Sequence, residues 1–134
     1  MAQRREQRLK GFVLWLAVAT GVVLSLIGVR FLLQPEPAAS FFGIDRRNPG
    51  LAPHAAIALR DLWLGLLIIA FAALKDWRAV ALWLGLATLV CFGDAAIAAT
   101  SSGRWVSVAF HSGSGLFCGV LAAFAWRLQR SPVN

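Results

Sequence analysis

The chain has 134 residues, of which 59% are hydrophobic and 14% charged, with a mean hydropathy of +0.70. An ordinary soluble domain has about 45–50% apolar and about 25% charged residues, so a disordered chain, a collagen-like chain, a disulfide scaffold and a soluble catalytic domain beside the apolar segments are all excluded. The net charge of +7 sits mostly at the ends of apolar runs, which ties it to membrane topology and predicts no nucleic-acid partner.

Residues 1–10 are polar and basic, with Arg4, Arg5, Arg8 and Lys10 against Glu6. An apolar stretch follows over 11–33, interrupted by Arg30. At about 1.5 Å per residue it is long enough to cross a hydrocarbon core of about 30 Å. A signal peptide cleaved near Pro37-Ala38-Ala39-Ser40 is the rival reading. The run exceeds an h-region of about 7–15 residues, so an uncleaved first span is expected.

The connection 34–53 holds Pro35, Pro37, Pro49 and Pro53. Proline stops the first span, because it lacks the amide donor and clashes with the preceding turn. A short interfacial helix is expected over 38–44, with Phe41 and Phe42 at headgroup level, and a solvated turn over 45–50. A second span over 54–74 starts after Pro53, a residue suited to a first helical turn. Lys75, Asp76, Trp77 and Arg78 form a tight turn. The third span covers 79–99, Thr100 to Gly103 turn again, and the fourth covers 105–126. The expected class is all-α: a single domain folded as a left-handed, antiparallel four-helix transmembrane bundle.

The ends and the 75–78 turn lie on one side with eight Lys/Arg; the opposite loops hold Arg46, Arg47 and Arg104. The excess of Lys/Arg places both termini in the cytoplasm and the chain in the cell (inner) membrane. Trp15, Trp77 and Trp126 then fall at the inner interface and Trp105 at the outer one. Leu-Trp-Leu-Gly-Leu occurs at 62–66 and again at 82–86, too short and too apolar a match to define a repeat.

Charge within a span is costly and normally faces the bundle interior or snorkels to an interface. The spans contain Arg30, Arg60, Asp61, Asp94 and His111. At about 1.5 Å per residue all lie roughly 5–12 Å below the outer boundary. Each span contributes, although the spans alternate in direction. Asp61 shares a face with Ala58, Gly65, Ile68 and Ala72; Asp94 with Ala87, Val90, Ala98 and the deeper Trp83; His111 with Gly115, Gly119 and Ala122. These faces point inward. Arg60 reaches the interior from the rim, and Arg30 either joins it or snorkels. Two arginines, two aspartates and a neutral histidine sum to zero, which suits Arg–Asp pairing away from water.

Four readings follow. The cluster holds the bundle together in a purely structural or accessory subunit. Alternatively, it is the head of a pocket for a small lipophilic molecule, with Arg30 and Arg60 on an anionic or carbonyl group and Trp83, Phe92 and Phe110 as an apolar floor. In an enzyme, Asp61 or Asp94 would pair with His111 as acid and base for isomerisation, cyclisation or hydration. A proton-coupled or small-solute transporter needs polar groups through the whole depth, which the inner two thirds lack. The pocket, with acid–base capacity, is the favoured expectation.

No metal or cofactor is expected, since HExxH, CxxC and a glycine-rich phosphate loop are all missing. Cys91 and Cys118 read as small buried hydrophobes, His54 as a solvated or helix-starting residue at the loop edge, and Ser25 and Thr88 as bonded back to their own helices. Gly115 and Gly119 have the spacing that allows close helix contact, within the bundle or in a homodimer.

Gly28-Val29-Arg30 with Pro35, Phe42-Gly43-Ile44, Arg60-Asp61-Leu62 with Gly65, Gly93-Asp94, and His111 with Gly113 stand in an order and spacing that resembles a family of small four-span proteins of bacteria and fungi, catalogued as a domain of unknown function. The resemblance covers about residues 15–125. It implies a four-helix membrane protein and brings no activity with it.

Overall fold

The computed structural model describes residues 2–44 and 51–130. Among them the chain forms α1 (Ala2–Leu33), α2 (Pro35–Phe42), α3 (Leu51–Ala73), α4 (Trp77–Ser101) and α5 (Trp105–Gln129), with no strand. The helices α1, α3, α4 and α5 are each long and apolar enough to cross a membrane. The chain is thus an all-helical membrane bundle. The turn expected over 45–50 and the tail 131–134 lie outside the described residues.

Local chemistry sets the helix ends. The polar segment before the first span continues α1 as helix, with Lys10 on Glu6 at 2.7 Å one turn earlier. Pro35 opens α2, where its missing amide is no loss. Gly43 closes α2 at φ +99°, donating its N–H to the Ala39 carbonyl at 3.0 Å. A side chain there would be strained and would also meet Ala98 and Ser107, because α2 folds back onto the bundle at this point. Asp76 caps α4 by accepting from the Ala79 amide at 3.0 Å.

The four long helices form two tight antiparallel pairs. In the first, α1 and α3 meet along Gly21, Ser25 and Gly28 against Gly65, Ala58 and Leu62. A Cβ on Gly21 would lie 2.6 Å from the Gly65 carbonyl oxygen, and one on Gly28 would lie 2.7 Å from that of Ala58. Rising numbers on α1 meet falling numbers on α3, so the two run antiparallel. Association in lipid depends on such backbone approach, since the hydrophobic effect does not drive it. In the second pair, Gly115 faces Cys91 and Phe92, and Gly119 faces Thr88. The close approach allowed by the Gly115/Gly119 spacing is thus made to α4 within the chain.

The half of the bundle near the termini is solid. Val13, Ala17, Ile68, Val80, Leu84 and Ala125 are each 0–1% exposed there, and all four long helices contribute. In the other half a smaller cluster of Phe31, Ala38, Ala39, Phe42 and Ala58 ties α2 to α1 and α3. Phe42, expected with Phe41 at headgroup level, packs within the protein. It is buried, because Gly43 turns the end of α2 inward. The exterior is apolar, as contact with lipid requires: Leu26, Leu66, Leu89 and Leu116 are each more than half exposed.

Candidate functional site

Arg60 on α3 is the hub of the polar half. Its Nε donates to Asp61 Oδ1 at 2.9 Å. Its Nη1 and Nη2 donate to Asp94 Oδ1 and Oδ2, both at 3.3 Å. This two-pronged contact runs from α3 to α4 and so joins the two helix pairs. Asp61 and Asp94 are buried, and the Arg60 side chain is 35% exposed. Burying these carboxylates is costly, and the shared guanidinium offsets that cost by Coulomb attraction and charge-assisted hydrogen bonds.

His111 on α5 is also buried, and its Nε2–H donates to the Phe42 carbonyl at 3.1 Å. Its ring centroid lies 4.5 Å from that of Phe42. One turn earlier, Ser107 donates to the Phe41 carbonyl at 2.9 Å, and Arg104 Nη1 donates to the Ser40 carbonyl at 2.8 Å. Positions 104, 107 and 111 share one face of α5. Together they satisfy three carbonyls at the end of α2 that its own helix leaves without partners. Among the described residues no hydrogen bond joins His111 to Asp61 or Asp94.

Between the helix pairs lies a cavity of about 350 Å³. Arg60, Asp61, Asp94 and His111 line one end of it. Leu24, Leu64 and Ala87 line the middle, and Trp83 stands at the far end, about 16 Å from Asp94 along α4 at 1.5 Å per residue. The Trp83 Nε1 is buried without a hydrogen-bond partner.

Six of the eight residues expected at a site therefore border one cavity: Arg60, Asp61, Asp94, His111, Trp83 and Phe110. Arg30 and Phe92 do not. Arg30 is exposed, with its guanidinium 5.8 Å from the Phe41 ring centroid; the small-residue stripe of α1 packs on α3 and turns Arg30 away. Phe92 is 42% exposed and lies over Gly115, where the close α4–α5 contact leaves room for its ring. His54, expected in solvent or at a helix start, stands in the first turn of α3, where it is buried with its ring centroid 6.3 Å from that of Phe31. Thr88 bonds back to the Leu84 carbonyl at 3.0 Å, whereas the Ser25 Oγ packs against Gly65 with no hydrogen-bond partner.

Sequence reasoning missed Thr20, Ser114, Cys91 and Cys118 as lining residues. Thr20 had a signal: it is the polar member of the stripe Leu16, Val23, Leu24, Ile27 and Phe31 at helical spacing. The two thiols are free and come from neighbouring helices. Among the described residues no group of three or more His, Cys, Asp or Glu is placed to hold a metal ion.

A family model described as a domain of unknown function (DUF4267) matches residues 21–125. No curated protein and no solved structure matches the chain.

Proposed function

We propose, for a chain that belongs to the DUF4267 family and takes no activity from it, that this multi-pass membrane protein binds a small lipophilic molecule between its two helix pairs. The observation that carries the reading is the division of the cavity. Its ionisable side chains gather at one end, and the wall from there to Trp83 is almost wholly apolar. A ligand with a polar head and an apolar body matches that division. We orient the bundle with its termini in the cytoplasm by the excess of Lys/Arg on that side, which puts the polar head toward the outer leaflet of the cell membrane.

The geometry favours binding over catalysis. An acid–base pair of Asp61 or Asp94 with His111 needs mutual hydrogen bonding or a shared reacting atom. The His111 hydrogen bond instead goes to the Phe42 carbonyl, and its imidazole Nδ1 is left for a ligand.

The test is Ala87→Phe, which places a ring in the middle of the cavity. Purified protein in uncharged detergent is melted with and without decan-1-ol. A ligand at a hundredfold its Kd stabilises by about 2.7 kcal/mol. The wild type is expected to gain melting temperature with decan-1-ol and Ala87→Phe to gain none. Equal shifts in both would place the alcohol in the micelle or on the outer surface and reject the reading.

A further inference from the structure

The sequence led to a cavity headed by two arginines and hence to an anionic or carbonyl ligand. The structure reverses the electrostatics, because Arg30 is outside and Arg60 is engaged by two carboxylates. Building on the binding reading above, we infer that the cavity selects a lipophilic molecule whose head is a hydrogen-bond-donating cation, a primary alkylammonium.

The first ground is charge. The head group sets one guanidinium, Arg60, against two carboxylates, Asp61 and Asp94. Asp61 is 2% exposed and Asp94 7%, so water does not screen this excess well. A cation at that end completes the neutralisation that Arg30 was expected to supply; an anion adds to the imbalance.

The second ground is the hydrogen-bond inventory. Asp61 Oδ1 receives Arg60 Nε, and among the described residues Oδ2 receives no donor. In the imidazole tautomer that donates through Nε2 to Phe42, the His111 Nδ1 is an acceptor. The two hydroxyls on the cavity wall have already used their hydrogens. Thr20 donates to the Leu16 carbonyl at 2.8 Å and Ser114 to the Phe110 carbonyl at 2.8 Å. Each of these four groups therefore offers lone pairs to the cavity. Among the described residues the stronger donors that remain are Arg60 N–H groups beside the carboxylates and Trp83 Nε1 at the opposite end. At the polar end an ammonium brings three hydrogens to the Asp61 and His111 acceptors, a hydroxyl brings one, and a carboxylate brings none.

The third ground is size. A volume of about 350 Å³ equals roughly a dozen waters at about 30 Å³ each. That space takes one alkyl chain of moderate length.

The experiment compares decylamine, decan-1-ol and decanoate on the wild-type protein in uncharged detergent, each corrected by the Ala87→Phe protein, at a pH where the amine is cationic and the acid anionic. Decylamine is expected to bind at least tenfold more tightly than decan-1-ol, and decanoate more weakly than either. In Asp61→Asn the amine preference over the alcohol is expected to fall to about twofold. The wild-type ranking decides the matter even where that variant does not fold. Decanoate binding tightest, or amine and alcohol binding alike, would overturn the inference and leave the binding reading standing. No probe distinguishing wild type from Ala87→Phe would overturn both. Competition by an ethanolamine phospholipid locates the source of the ammonium: displacement of decylamine identifies a bilayer headgroup, and lack of displacement a free single-chain amine; each result keeps the inference.

Discussion

Replacing Gly28 or Gly65 with alanine tests how the first helix pair is held. A Cβ on Gly28 would stand 2.7 Å from the Ala58 carbonyl oxygen and 2.8 Å from the Leu62 amide nitrogen. One on Gly65 would stand 2.6 Å from the Gly21 carbonyl oxygen. Ordinary contact begins at 3.4 Å, so the backbones must part by about 0.7–0.8 Å. These opposing atoms are main chain and cannot swing aside; at Gly65 the Ser25 Oγ crowds the new methyl as well. Overpacking of this kind costs about 1–3 kcal/mol. The helix propensity of alanine, up to about 1 kcal/mol better than glycine, works in the other direction. The same substitution at Gly85, Gly93 and Gly113 meets nothing within 4 Å, so there only the propensity gain remains. Reversible unfolding by SDS in mixed micelles should show Gly28→Ala and Gly65→Ala destabilised by about 1–3 kcal/mol and the three control variants unchanged or up to about 1 kcal/mol more stable. If Gly28→Ala tracks Gly93→Ala within about 0.5 kcal/mol, the close seam is not what holds α1 to α3.

Two further outcomes follow from the polar half. Arg60→Met leaves Asp61 and Asp94 without their shared cation, which should cost about 3 kcal/mol in the same assay; in a double-mutant cycle with Asp94→Leu, the two losses should fall well short of additive. Ser107→Ala leaves the Phe41 carbonyl without its donor, a loss of about 1 kcal/mol. Hydrogen exchange of the α2 amides should then speed up roughly fivefold with α4 unaffected; unchanged exchange would mean that α2 is held by its apolar contacts alone.

Much of this architecture was legible in the chain. Four apolar runs of spanning length, the first two separated by a proline-bounded connection, yield the four long helices directly. Asp61 shares its buried face with Ala58, Gly65 and Ile68, His111 with Gly115, and Asp94 with Trp83 and Ala98, whereas Val90, at the same helical phase as Asp94, is 38% exposed. Helical phase within one span carries that information. The partner of each span does not lie in its own phase. Arg30 stands at the right depth, yet the Gly21, Ser25 and Gly28 stripe commits α1 to α3 and turns Arg30 outward. Phe92 failed for the same reason, since the face α4 gives to α5 could not be told from the one it gives to the cavity. The role of α2 was the least visible. Its inward turn depends on Gly43 meeting Ala98 and Ser107, contacts between segments far apart in sequence. The resulting charge count, two carboxylates to one guanidinium, follows from that three-dimensional sorting and is absent from the formal sum.

The most direct test of a ligand cavity between the helix pairs is photolabelling with a ten-carbon alcohol carrying a diazirine at its tail, followed by peptide mapping of the adducts. The account predicts adducts on the cavity wall at Leu64, Trp83 and Ala87, lost when excess decan-1-ol competes. Adducts confined to the lipid-facing Leu26, Leu66 and Leu116, insensitive to competitor, would contradict it.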